Sequence, residues 1–240
     1  MPVPPIPPDA ARPSCHAGTP AGPPGAIGTR RALLAGLAAL ALAGCSALPD
    51  KPVRPALYDF GPPAAAAAAP TPPGVARPVL ALARIEVPDA LDGTAMLYRL
   101  AYADAQQLRP YAQARWSMPP AQLLAQRLRE PLGTAFFVVP PGAAPAAATL
   151  RLELEEFAQV FDTPAQSRAV LRVRATLAVP GPAGRERVLA QQPLGVSRAA
   201  ETPDAAGGVR ALAVAGEALG AELAAWVQAR LAAAGAGAAR

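Results

Sequence analysis

Thr149-Leu150-Arg151-Leu152-Glu153-Leu154-Glu155-Glu156-Phe157-Ala158-Gln159-Val160-Phe161 opens by alternating leucine with charge. Successive side chains of a strand point to opposite faces. Leu150, Leu152 and Leu154 therefore share one face, and Arg151, Glu153 and Glu155 share the other. The alternation slips by one residue at Glu156-Phe157, which predicts a β-bulge. Thr163-Pro164 turns the chain. Ala169 to Val179 then returns with Leu171, Val173, Ala175, Leu177 and Val179 inward, and Arg172, Arg174 and Thr176 outward. Antiparallel pairing would set the outward arginines against Glu153 and Glu155, and exposed cross-strand ion pairs contribute about 0.2–1 kcal/mol each. Long strands with one apolar face need cover on that face alone. The class is α+β: a mixed, largely antiparallel sheet with two main helices packed on it.

The cover is found on either side of this pair. Pro119 and Pro120 open a helix to about Arg129, since proline suits the first turn. Leu123, Leu124 and Leu128 form its apolar stripe; Gln122, Gln126, Arg129 and Glu130 face solvent, and Pro131 and Gly133 close it. Ala205 to about Ala233 is the longer helix, with Leu212, Gly216, Leu219, Leu223, Trp226 and Val227 at three- and four-residue steps. Trp226 reads as a core anchor, and the Ala/Gly run from Ala232 is expected to fray as a disordered tail over 234–240. The remaining strands are Val79–Val87, placed centrally and ended by Pro88-Asp89, and Ala95–Ala101, its hairpin partner or neighbour. Phe136–Val139 is a short apolar strand, and Arg187–Val196 a weaker last one.

Upstream, Leu42-Ala43-Gly44-Cys45 reads as a lipoprotein processing site: an aliphatic residue, two small residues, then cysteine. Small residues let a peptidase hold the chain extended, and the thiol is a soft nucleophile able to accept a diacylglyceryl group. Arg30 and Arg31 supply a positive start, and Ala32–Ala43 is a 12-residue uncharged apolar run. That run is shorter than the roughly 20 residues needed to span a bilayer, and it fits a removable signal. Thr29-Arg30-Arg31 also faintly resembles a twin-arginine signal. Residues 1–44 are thus expected to be a signal peptide with a non-structural Pro/Gly-rich extension. Residues 45–78 are a lipidated, Pro/Ala-rich tether, and 79–233 are the folded domain. Such a tether reaches on the order of 90 Å at about 3.1 Å per residue. Tyr58-Asp59-Phe60 interrupts its low complexity and reads equally as a spacer or as an edge strand.

Composition narrows the function. The 240-residue chain carries a formal charge of +5, but removal of Arg12, Arg30, Arg31 and Asp9 with the leader leaves about +3. Lys51 is the one lysine and the arginines are scattered, so the clustered basic footprint of a nucleic-acid binder is missing. Cys15 and His16 leave with the leader, and Cys45 would be consumed by lipid. No Cys/His zinc site, histidine base or Cys-His or Ser-His nucleophile can then be assembled. Glu153, Glu155 and Glu156 read as a solvated face, Asp89 and Asp92 as turn residues, and Gly207-Gly208 as a poor match to a phosphate loop. No catalytic residue, metal ligand or cofactor is expected. Tyr98, Tyr111, Arg115 and Trp116 form the densest polar-aromatic group and are the candidate partner contact.

Several short pieces in an unusual order carry a resemblance. Ile85-Glu86-Val87-Pro88, Leu91-Asp92-Gly93, Met96-Leu97-Tyr98-Arg99 and Tyr111-Ala112-Gln113-Ala114-Arg115-Trp116 follow the processing site and precede a leucine-bearing helix. The chain resembles the ABC-type transport auxiliary lipoproteins, which include the paraquat-inducible group that serves MCE systems. The resemblance implies a non-catalytic periplasmic domain, held by lipid on Cys45. Its partners would be an MCE-type substrate-binding protein and, through it, an ABC permease and ATPase that move phospholipids or other hydrophobic molecules. Ser46 after the cysteine, in place of an aspartate, points to the periplasmic face of the outer membrane over the inner membrane. The alternatives are a lipid-binding carrier with an apolar pocket or an outer-membrane assembly lipoprotein; a homo-oligomer is left open.

Overall fold

The computed structural model describes residues 54–62 and 77–238. Leu42, Ala43, Gly44 and Cys45, together with most of the Pro/Ala-rich stretch, lie outside the described residues. The strands are β1 (Ala56–Tyr58), β2 (Val79–Leu82), β3 (Ala95–Leu100), β4 (Asp104–Trp116), β5 (Phe137–Val139), β6 (Ala148–Thr163), β7 (Gln166–Pro180) and β8 (Glu186–Ala199). The helices are α1 (Pro120–Ala135) and α2 (Ala205–Ala238).

The sheet is organised on β6. One of its edges carries β7 along its whole length, with β8 beyond. The other edge is shared. β2 runs parallel to its start, Leu80 beside Ala148, and β3 runs parallel to its end, Tyr98 beside Gln159. β5 flanks β2, while β4 flanks β3 antiparallel and β1 flanks β4 parallel. The result is a mixed, mostly antiparallel eight-stranded sheet with two helices, the α+β class expected. β3 is therefore not a hairpin partner of β2. The two follow one another along the same edge of β6, and β3 makes its hairpin with β4.

The alternating pattern is realised. Leu150, Leu154, Leu171, Val173, Ala175 and Leu177 have no exposed surface, and Leu152 almost none. The register skips Glu155 between Leu154 opposite Val173 and Glu156 opposite Arg172, so the bulge sits at the Glu-Glu step. The segment expected as one strand to Val87 is regular only to Leu82. It rejoins β6 through a single bridge of Glu86 to Glu153, with one more residue on its own side than β6 offers.

Both helices cover the apolar face. α1 buries Leu123, Leu124 and Leu128 and exposes Gln122, Gln126, Arg129 and Glu130. It does not stop at Pro131 but continues to Ala135, burying Leu132. Proline inside a helix normally costs about 3 kcal/mol or more; here its ring lies against α2 where Gly220 leaves room. α2 buries Val209, Leu212, Leu219, Leu223, Trp226 and Val227 against sheet and α1. It runs on to Ala238, beyond the Ala233 expected, because alanine is the best helix former even without tertiary contacts.

One boundary moves. Residues 56–62 belong to the domain, not to a tether. β1 adds to the edge of β4, Tyr58 N-terminal to a buried Phe60, and Phe60 packs on Trp116 and Phe157 at 5.9 and 6.0 Å between ring centroids. The Arg77 guanidinium donates to the Gly133 carbonyl and lies over the Phe137 ring. The Pro/Ala-rich stretch between these points thus connects two parts of one sheet.

Candidate functional site

The four residues of the candidate contact are divided by the fold. Trp116 is 1 % exposed, in a T-shaped cluster with Phe60 and Phe157, and has no surface to offer a partner. Its neighbour Arg115 points the other way and is exposed. Alternation along β4 dictates this split. Tyr98 and Tyr111, both half-buried, meet with ring centroids 4.6 Å apart, and Tyr98 also packs edge-on against Phe161. The pair meets because β4 is heavily bulged against β3. Ala95 opposes Arg115, whereas Leu97 already opposes Pro110, so extra residues on β4 turn Tyr111 inward.

Beneath the tyrosines lies a buried polar chain. The Tyr111 hydroxyl donates to Gln159 Oε1 at 2.9 Å, and Gln159 Nε2 donates to Ser167 Oγ at 2.8 Å. Gln159 is fully buried, and its amide fills space that Gly208 of α2 leaves open. Burial, then the neighbouring Tyr98 and Asp204, push the Tyr111 phenol well above its ordinary value. The shift keeps the phenol protonated, in keeping with its hydrogen bond to Gln159. Next to it, the start of α2 is already satisfied. Asp204 Oδ1 accepts from the Gly207 N–H at 2.7 Å and from Thr202 Oγ1 at 2.8 Å. The anion-binding reading of Gly207-Gly208 loses its free N–H group to this cap.

A second buried polar residue, Arg127 of α1, ties three elements together. Its guanidinium donates to the carbonyls of Phe60 and Gly61, reaches Glu217 of α2 at 2.9 Å, and lies over the Phe60 ring at 5.5 Å. Neither Arg127 nor Gln159 stood out in the sequence. Arg127 follows the leucine stripe as one more charge on an amphipathic helix, and Gln159 falls just past the bulge, where the alternation no longer assigns a face.

The outer face of the sheet is a carpet of paired charge. Arg174 contacts Glu155 at 2.5 Å and Glu153 at 3.7 Å; Glu156 lies between Arg172 at 3.3 Å and Arg99 at 3.8 Å; Arg151 pairs with Glu186. Each of these carboxylates answers an arginine, and Glu155 and Glu156 also line a small pocket of about 130 Å³ with Arg99, Leu108 and Phe157. Asp89 and Asp92 flank a short 3-10 turn, and no group of three metal-ligating side chains occurs among the described residues. Two surface grooves border α1. One, of about 500 Å³, holds Asp59, Arg127, Arg129 and Glu130. The other, of about 640 Å³, holds Arg84, Glu86, Asp92 and Arg151. Apolar side chains share both walls with these charges, Phe60, Met118 and Leu123 in the first and Ile85, Val87 and Ala121 in the second.

A family model described as the ABC-type transport auxiliary lipoprotein component matches residues 58–224. The chain belongs to that family. The match begins at Tyr58, in agreement with β1 being part of the domain. Membership in this auxiliary lipoprotein family implies membrane anchoring and association with an ABC transport system. No helix among the described residues is long and apolar enough to cross a membrane. Among solved structures, a Xanthomonas campestris protein of the family DUF330 is similar in fold, with a TM-score of 0.55 at 18% identity, over 64% of this chain and 85% of that one. An uncharacterised protein gives a TM-score of 0.54 at 17% identity, over 72% of this chain and 99% of that one. No curated protein matches.

Proposed function

We propose that the auxiliary lipoprotein is a non-catalytic adaptor for MCE-type transport of phospholipids or other hydrophobic molecules. Cys45 carries the lipid, residues 1–44 are removed as a signal, and the domain works from the periplasmic face of the outer membrane. The observation that carries this reading is the conjunction of the family match with Leu42-Ala43-Gly44-Cys45 a short distance before β1. Among the described residues the apolar side chains of sheet and helices form one buried cluster, which favours an adaptor over a lipid carrier. The partner, an MCE-type substrate-binding protein coupled to permease and ATPase, docks at the tip of the β3–β4 hairpin. There Tyr102 is 49% exposed beyond the Tyr98–Tyr111 pair, and aromatic side chains are enriched in protein interfaces.

Detergent-solubilised protein should co-purify with MCE-type subunits from its native host, and Tyr102→Ser should reduce the yield. Enrichment no greater than that of an unrelated lipoprotein would count against the adaptor. Mass analysis of Cys45 tests the anchor separately.

A further inference from the structure

The position of β1 changes the reach of the anchor. With the chain pinned at Ala56, only the residues from Cys45 to that point separate lipid from domain. Even fully extended, eleven residues span no more than about 40 Å. Helix α2 alone, at 34 residues, is about 51 Å long. A lipid on Cys45 would therefore hold the β1 edge within about 40 Å of the bilayer, less than the length of α2.

That edge has a composition of its own. Leu57 is 71% exposed, the most exposed large apolar side chain among the described residues. Arg115 lies directly beside it in the β1–β4 register and is also exposed, and exposed Arg54 precedes the strand. Unlike the arginines of the carpet, Arg54 and Arg115 meet no carboxylate among the described residues. Among the described residues Asp59 is the acidic residue that follows β1, at its far end from Arg54. An exposed apolar side chain with Arg115 beside it and Arg54 three residues before it matches the layer where acyl chains meet anionic headgroups.

We propose that Leu57, Arg54 and Arg115 rest on the headgroup layer of an anionic phospholipid membrane, the one that holds the anchor. This rests on the lipid-anchor reading above. It orients the domain: the Ala95–Arg115 end of the β3–β4 hairpin faces the bilayer, and the Tyr102 end faces away.

The test uses full-length protein, processed in a bacterial host and reconstituted into vesicles. Single fluorescent labels are placed through Leu57→Cys, and through Val188→Cys on β8, which is also exposed. Vesicles contain phosphatidylethanolamine and phosphatidylglycerol, or phosphatidylcholine alone, each with a headgroup quencher. The label at position 57 should be quenched on the anionic vesicles and much less on the neutral ones; the label at 188 should be quenched on neither. Each arginine near an anionic surface contributes about a five-fold preference, so adding Arg54→Ala and Arg115→Ala should lower the quenched-to-unquenched ratio on the order of 25-fold. Vesicle-bound protein whose position 57 stays unquenched overturns this inference alone. Quenching that follows protein density and ignores lipid charge assigns the patch to a second copy and overturns it as well. Protein that fails to float with vesicles, or that takes label on Cys45, overturns the anchor reading and the inference with it.

Discussion

Arg127 shows how much one side chain can hold. It is 6% exposed, and its hydrogen-bond partners are two carbonyls after β1 and a carboxylate on α2. Glu217 is partly exposed and can rehydrate if the arginine is lost, whereas the Phe60 carbonyl cannot. Arg127→Met should therefore lower stability in urea unfolding by about 1–3 kcal/mol, the cost of a buried acceptor left unpaired. Asp204 makes a prediction about acid. Its carboxyl is held below the usual carboxylate range by the Gly207 N–H, then by the Thr202 hydroxyl. A depressed folded-state value means stability that is present above the unfolded value, about 3.9, and lost as pH falls through the folded one. Asp204→Asn keeps a capping oxygen without that titration. Its unfolding midpoint should approach that of the parent as pH drops below about 4. A gap that stays constant with pH would show that the carboxylate charge plays no part.

At the scale of elements, the α1–α2 crossing depends on missing side chains. A Cβ on Gly220 would run into the Pro131 ring, and one on Gly216 would stand 3.3 Å from Cγ of Arg127. Adding a methyl in such a place costs about 1–3 kcal/mol through displacement, more than the gain in helix propensity of up to about 1 kcal/mol. Gly235 lies on the same helix with nothing within 4 Å. Gly220→Ala should lower the thermal midpoint and Gly235→Ala should raise it or leave it unchanged; equal effects would mean that propensity alone governs the helix. Gly220 also explains how α1 runs past Pro131. The proline's effect as a helix breaker is local, and the accommodation that offsets it comes from another element.

For the whole molecule, β1 decides where the domain begins. A soluble chain starting at Arg54 should unfold at the same urea midpoint as one starting just after Cys45. A chain starting at Gly61 loses Phe60 and the cover of β4, and should be less stable by at least about 3 kcal/mol. If all three unfold alike, the packing of Phe60 on Trp116 and Phe157 contributes nothing. The fold divides the candidate contact on the same logic: Tyr98 and Tyr111 share a half-buried layer, Trp116 joins the Phe60 cluster, and Arg115 faces outward.

Local periodicity was enough for β6, β7 and the leucine stripe of α1. A side chain's face there follows from its neighbours along the chain, and each pattern runs long enough to be unambiguous. The carpet of arginine and glutamate follows from the same alternation, and the bulge from its one-residue slip. Tertiary structure alone decided that β2 and β3 share one edge of β6, since pairing partners leave no period in either strand. It alone drew Tyr58-Asp59-Phe60 out of a Pro/Ala-rich stretch into the sheet, because three residues carry too little pattern to outweigh their surroundings. Burial of Arg127, Gln159 and Trp116 belongs with these: it depends on what distant segments bring against a side chain, and that is set by the packed fold.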